Sequence, residues 1–156
     1  YIFYDRLELV KYIKRFKDVC KHKSDYHCLY TRKGNKDQIV KVKEKDIRPY
    51  VAISHVLTFP SYREGFPNVV IQAGAMGLPS IVTNINGCNE IINEGKNGWI
   101  IPVKNVEAIE NAMSDCILNK EVYAKAKSNA RQMIMDRFEQ KVVWEAILEE
   151  YQLLEN

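Results

Sequence analysis

Residues 57–90 read LTFPSYREGFPNVVIQAGAMGLPSIVTNINGCNE, and each break in that run falls on a residue with a physical reason to be there. Leu57, Thr58 and Phe59 form a short apolar run with strand character. Pro60, which cannot donate to a sheet ladder, closes it with Ser61. Gly65 is expected to give the next loop freedom to turn. Pro67 suits the first helical position, where its missing N–H costs nothing. Val69, Val70, Ala73, Met76 and Leu78 recur at helical spacing. Gly77 suits a left-handed helix stop, and Pro79 forbids continuation. Ser80 to Thr83 is apolar and β-branched, the next strand. Strand, loop, helix and strand make one βαβ unit, whose crossover should be right-handed.

That unit is also a candidate site. A helix that starts just after a glycine turns its free N–H groups and the positive end of its dipole outward, which suits a phosphate or pyrophosphate. Glu64 stands at the mouth of the loop, and Gln72 lies on the helix behind it. In open α/β sheets ligands bind beyond the carboxyl ends of the strands, where this loop belongs.

Composition bounds the rest. The chain of 156 residues is expected to form one domain, with 46% hydrophobic and 28% charged residues, an ordinary globular balance. A formal net charge of +3 is too mild to argue for nucleic acid, yet does not oppose an anionic ligand or a membrane surface. The lysines and arginine at positions 11–17 read as a solvated helix face with no aromatic platform among them. Cys20, Cys28, Cys88 and Cys116 contain no C-x-x-C pair and read as buried thiols of a reducing cytosol. His22, His27 and His55 lack metal-ligand spacing, and His55 reads as a packing group.

Outside the central stretch, strands are expected over 1–4, 26–30, 39–45 and 99–101. Helices are expected over 9–20, 48–54, 106–117, 122–135 and 140–154, with a short helical turn over 89–93. Trp144 and Tyr151 read as packing groups of the last helix. Strands alternating with helices predict an α/β fold: a Rossmann-like parallel sheet with helices on both faces.

The stretch SYREGFPNVVIQAGAMGLPSIVTNINGCNEII resembles the nucleotide-sugar-binding domain of family 4 glycosyltransferases. These are retaining enzymes of the GT-B fold, common in bacterial capsule, exopolysaccharide and lipopolysaccharide synthesis. The likeness runs upstream through DIRPYVAISHVLTFPS and downstream through NEGKNGWIIPVKNVEAIENAM, and so covers most of residues 46–151. It implies that residues 1–156 are one nucleotide-sugar-binding domain, the C-terminal part of a two-domain enzyme whose acceptor domain precedes it.

The family's Glu-x7-Glu motif falls on Glu64 and Gln72. The resemblance implies that Glu64 contacts the donor sugar and that Gln72, standing where the second Glu is usual, meets the ribose without a charge-assisted bond. It places Gly65 and the backbone N–H groups of Phe66, Asn68 and Val69 around the diphosphate. Arg6, in Asp5-Arg6-Leu7, matches the family's phosphate-neutralising Arg. Lys11 is a further candidate for the family's Lys, whose Lys-Gly pair is absent, and Asn86 and Gly87 are candidates at the border of the crevice. Glu64 and Arg6 would carry the catalytic roles.

The implied activity is transfer of a sugar, of hexosyltransferase type, from a nucleoside diphosphate donor to a saccharide or lipid-linked acceptor with retention. Its place would be bacterial polysaccharide synthesis, in the cytoplasm or peripherally at the inner face of the plasma membrane. No cofactor or metal is expected, and no Asp-x-Asp motif occurs. Two alternatives stand beside this reading. One is a degenerate, non-catalytic nucleotide-binding or partner module, favoured by Gln72 and the missing Lys. The other is a nucleotide-sugar 2-epimerase-like domain.

Overall fold

The computed structural model describes residues 48–52 and 54–154. The strands and helix expected before residue 48 lie outside the described residues, as do Arg6 and Lys11. The described elements are α1 (Arg48–Ala52), β1 (Leu57–Phe59), α2 (Asn68–Ala75), β2 (Ser80–Thr83), α3 (Cys88–Ile91), β3 (Gly98–Ile101), α4 (Val106–Leu118), α5 (Lys120–Phe138) and α6 (Gln140–Leu154).

The three described strands form a parallel sheet in the order β1-β2-β3. Phe59 stands beside Val82 and Val82 beside Ile100, so strand periodicity sends these side chains to one face. Ile81, Trp99 and Ile101 go to the other. The first face packs with Val70 and Ala73 of α2 and with Cys88 and Ile91 of α3. The second packs with Ile109, Ala112, Met113 and Cys116 of α4. Both crossover helices therefore cover one face and α4 covers the other, the doubly covered parallel sheet expected. Full burial of a side chain such as Leu57 or Ile81 contributes about 1.5–3 kcal/mol.

α2 ends in a Schellman motif. Leu78 N–H donates to Ala73 O at 2.9 Å and Gly77 N–H to Gly74 O at 2.8 Å, with Gly77 at φ +76. Leu78 is thus folded back beneath the helix instead of belonging to it, which is why it shares the helical spacing yet lies outside. Asn119 closes α4 and accepts from Val122 N–H at 3.3 Å as the cap of α5, so α5 begins at Lys120, ahead of the expected 122. Its buried line, Ala126, Ala130 and Ile134, is mostly small residues, so its apolar periodicity is faint.

α5 ties the two ends of the sheet together. Tyr123 Oη donates to His55 O at 3.0 Å, just before β1, and Phe138 at the other end lies edge-on to Phe66 at 5.5 Å between centroids. His55 therefore sits at the end of β1 remote from the candidate loop.

α6 differs from its expected role. No residue of it is buried, and Trp144 and Tyr151 are 63% and 65% exposed. Periodicity reports that one face is apolar; it does not report that anything covers that face.

Candidate functional site

The loop 60–67 leaves the carboxyl end of β1 and enters α2. Pro67, with φ −77 and ψ 99, is the N-cap and not the first helical residue, so α2 begins one residue later than expected, at Asn68. It brings no side-chain cap, and the first turn holds no acidic residue. Among the described residues, the N–H groups of Phe66, Asn68 and Val69 have no acceptor. They lie at the positive end of the helix dipole. Asn68 and Gln72 are four residues apart, hence on one face of α2, and both are exposed. The Gln72 carboxamide therefore stands one turn behind the Asn68 side chain on the same face of α2.

Glu64 is half-buried in the loop, and its Oε1 accepts from Ser61 Oγ at 2.7 Å. Thr83 Oγ1, at the end of β2, donates to Ser61 O. The β1 loop is in this way tied to the end of the neighbouring strand. A second tie runs through Gly87, the N-cap of α3 at φ +77. A Cβ there would stand 2.2 Å from Gly65 O and 3.1 Å from Phe66 Cα, so only glycine fits. Gly87 N–H donates to Glu90 Oε1 at 3.0 Å. Asn86 is exposed on the same turn.

Gly65 corrects an expectation. It is not among the residues of positive φ, and a Cβ at this position would meet nothing within 4 Å. The turn does not need glycine there; the missing side chain leaves the surface beside the α2 N-terminus open, while conformational need sits at Gly87.

The charge of Glu64 reaches Cys88. Burial first, and then the Glu64 carboxylate, push the Cys88 thiol up to about 11, which makes it a neutral packing group beneath the loop. Cys116 is also raised, by burial first and then by Asp115. Both are free and buried. Around the rim, Lys104 Nζ stands 5.6 Å from the Tyr62 ring centroid. Arg137 donates to Glu90 O and Ile91 O while its guanidinium lies 4.7 Å over Phe138.

The carboxyl end of the sheet thus brings together Glu64, Gly65, Phe66, Asn68, Val69 and Gly87, with Gln72 one turn behind and Asn86 beside them. The site roles of Ser61 and Thr83 escaped the sequence reading, while Cys88 is the buried free thiol expected and only its place beside Glu64 is new. A hydroxyl as the last residue of a buried strand, at the end where ligands bind, was the available signal for Thr83. Among the described residues no group of three His, Cys, Asp or Glu side chains could hold a metal ion. No described helix is long and apolar enough to cross a membrane.

Residues 21–133 match the family described as "Glycosyl transferases group 1". The chain is 30% identical over 93 residues to the capsular polysaccharide biosynthesis glycosyltransferase CapM of Staphylococcus aureus, covering 60% of this chain and 24% of that protein. It is 32% identical over 93 residues to a UDP-Gal:alpha-D-GlcNAc-diphosphoundecaprenol alpha-1,3-galactosyltransferase of Escherichia coli, again covering 60% of this chain and 24% of the relative. Among solved structures, HepE of Anabaena in complex with UDP matches with a TM-score of 0.66 at 24% identity, over 70% of this chain and 30% of that one. A glycosyltransferase from Rickettsia africae matches with a TM-score of 0.66 at 24% identity, over 99% of this chain and 39% of that one. The chain spans about a quarter of the length of these two curated relatives.

Proposed function

The chain belongs to the glycosyl transferases group 1 family, and on that premise we propose that it is the donor-binding domain of a retaining glycosyltransferase, of the family 4 type, that uses a nucleoside diphosphate sugar. The observation that carries the reading is the uncapped start of α2, with the free N–H groups of Asn68 and Val69 beside Glu64 and the open surface at Gly65. One relative named for transfer from UDP-Gal and a structural neighbour bound to UDP support a uridine nucleotide as the donor's leaving group.

Each residue then has a task. As the bond from the anomeric carbon to the diphosphate oxygen breaks, negative charge grows on the diphosphate. The N–H groups of Phe66, Asn68 and Val69 and the guanidinium of Arg6 stabilise that charge, with Lys11 as a second cation. Glu64 accepts hydrogen bonds from sugar hydroxyls and so holds the anomeric carbon in place. Gln72 meets the ribose hydroxyls, and Asn86 and Gly87 border the sugar. No step calls for a metal. The acceptor, a saccharide or lipid-linked saccharide of bacterial polysaccharide synthesis, would be held by a second domain preceding this one, on the cytoplasmic side of the membrane.

Calorimetric titration of the chain with UDP, GDP, UDP-glucose and GDP-mannose tests the reading. Binding of at least one diphosphate, with affinity reduced by Glu64→Gln only when the sugar is present, is the expected result. No binding to any of them sinks it. A non-catalytic binding module is favoured by the uncharged Gln72, and is separated from the enzyme by sugar transfer in the full-length protein.

A further inference from the structure

Among the described residues, Glu64 is held on one side only. Its Oε1 takes the Ser61 hydroxyl at 2.7 Å. Among the described residues its other oxygen, Oε2, has no hydrogen bond. A serine hydroxyl has a single proton, and its other acceptor within reach, Arg63 O, is at 3.4 Å. The short bond therefore claims the proton. Ser61 is itself fixed from the sheet, because Thr83 Oγ1 donates to its carbonyl. Thr83 is 1% exposed, is paired in register with Ile101, and is followed by Asn84, whose N–H donates to Ile101 O at 2.8 Å. The line of contact runs from the rigid centre of the sheet through Thr83 and Ser61 to one oxygen of the carboxylate.

We propose that Ser61 is a positioning residue for Glu64, anchored by Thr83, which immobilises one carboxylate oxygen so that the other is presented to the hydroxyls of the donor sugar. The proposal rests on the donor-site reading above. A loop glutamate has three side-chain torsions to lose on binding, and a carboxylate already held by a charge-assisted bond has lost much of that freedom beforehand. The advantage falls on the sugar alone. The diphosphate meets the backbone of α2, which neither hydroxyl touches.

Titration of the full chain with paired probes, UDP against UDP-glucose and GDP against GDP-mannose, separates the possibilities. Ser61→Ala is expected to weaken the nucleotide sugar that the unaltered chain binds by about tenfold, while leaving the matching nucleoside diphosphate within about twofold. Ser61→Thr keeps the hydroxyl and is expected to restore the affinity. Thr83→Val should shift the same ligand in the same direction by a smaller factor, with Thr83→Ser restoring it; this pair decides the matter if Ser61→Ala does not fold. Glu64→Gln serves as the reference. If it loses the sugar-specific affinity and the folded Ser61 and Thr83 variants do not, the positioning role is overturned and the donor site stands. If Ser61→Ala weakens both members of a pair equally, the hydroxyl holds the loop in general and the proposal is likewise overturned. If the unaltered chain binds none of the four probes, the donor-site reading falls and takes the proposal with it.

Discussion

Gly87→Ala is the most demanding perturbation of the site, because its cost is worked from two separate terms. The first is conformational. Gly87 sits at φ 77 and ψ −44, outside any basin an L-residue enters at ease, and forcing alanine there costs roughly 1–2 kcal/mol. The second is steric. The new methyl would lie 2.2 Å from Gly65 O and 3.0 Å from Gly65 C, both backbone atoms that cannot rotate away. Overpacking of this kind costs about 1–3 kcal/mol. Together they predict a loss of roughly 2–5 kcal/mol, or about 5–15 °C in Tm for a domain of this size. Gly95→Ala isolates the first term, since Gly95 has φ +69 and a methyl there meets nothing within 4 Å. Thermal unfolding by circular dichroism should place Gly87→Ala below Gly95→Ala by at least ~1 kcal/mol. Restoring an ordinary contact moves Gly65 and Phe66 by about 1 Å, enough for a tenfold or greater loss of diphosphate affinity, which Gly95→Ala should not share. Equal stability of the two variants would refute the claim that the α3 turn is seated against the β1 loop.

Other consequences are as direct. The Cys88 thiol, raised from its ordinary 9.0 to about 11, keeps its proton in the folded chain where the unfolded chain has lost it. Stability should therefore fall as pH climbs from about 9 to 11, by on the order of 2 kcal/mol, and urea titrations of Cys88→Ala should show a shallower fall. A methyl on Gly74 would approach Ile134 Cγ1 to 2.5 Å where α2 crosses α5. Gly74→Ala should cost about 1–3 kcal/mol, and in Gly74→Ala/Ile134→Ala the two losses should sum to less than their separate values, which strict additivity would contradict. Gln72→Glu restores a carboxylate on the face of Asn68; UDP affinity is expected to rise about fivefold through a charge-assisted bond to the ribose, and an unchanged calorimetric Kd would remove Gln72 from the site.

The sheet was legible wherever one residue sets one local decision. Leu57–Phe59, Ser80–Thr83 and Gly98–Ile101 are bounded by proline or glycine and fully or mostly buried, so the apolar runs and their punctuation agree. Gly77 was legible for the same reason: it ends α2 by its own backbone. Expectations failed where the deciding partner is far along the chain. Gly65 looked like the turn glycine, yet the positive φ belongs to Gly87, whose neighbour is Gly65 itself, twenty-two residues earlier. No periodicity records a contact between two residues without side chains. α6 shows the converse, an apolar stripe that is fully visible in sequence and lies exposed in the fold.

The same distinction bears on the site. The residues proposed to meet the donor, from Glu64 to Gln72, lie close together in the chain, where a motif can capture them. The residues that fix their geometry, Thr83 and Gly87, come from the next strand and its turn. A chain could keep the whole stretch from Glu64 to Gln72 and still present Glu64 wrongly if Thr83 lost its hydroxyl or Gly87 gained a side chain. Conversely, the uncharged Gln72 changes one contact at the edge of the site and leaves this support untouched. A hydrogen bond to a neutral partner differs from a charge-assisted one by about 1 kcal/mol, whereas a misplaced loop forfeits every contact it carries. Thr83 and Gly87 are therefore better indicators than Gln72 of whether the proposed site keeps its geometry.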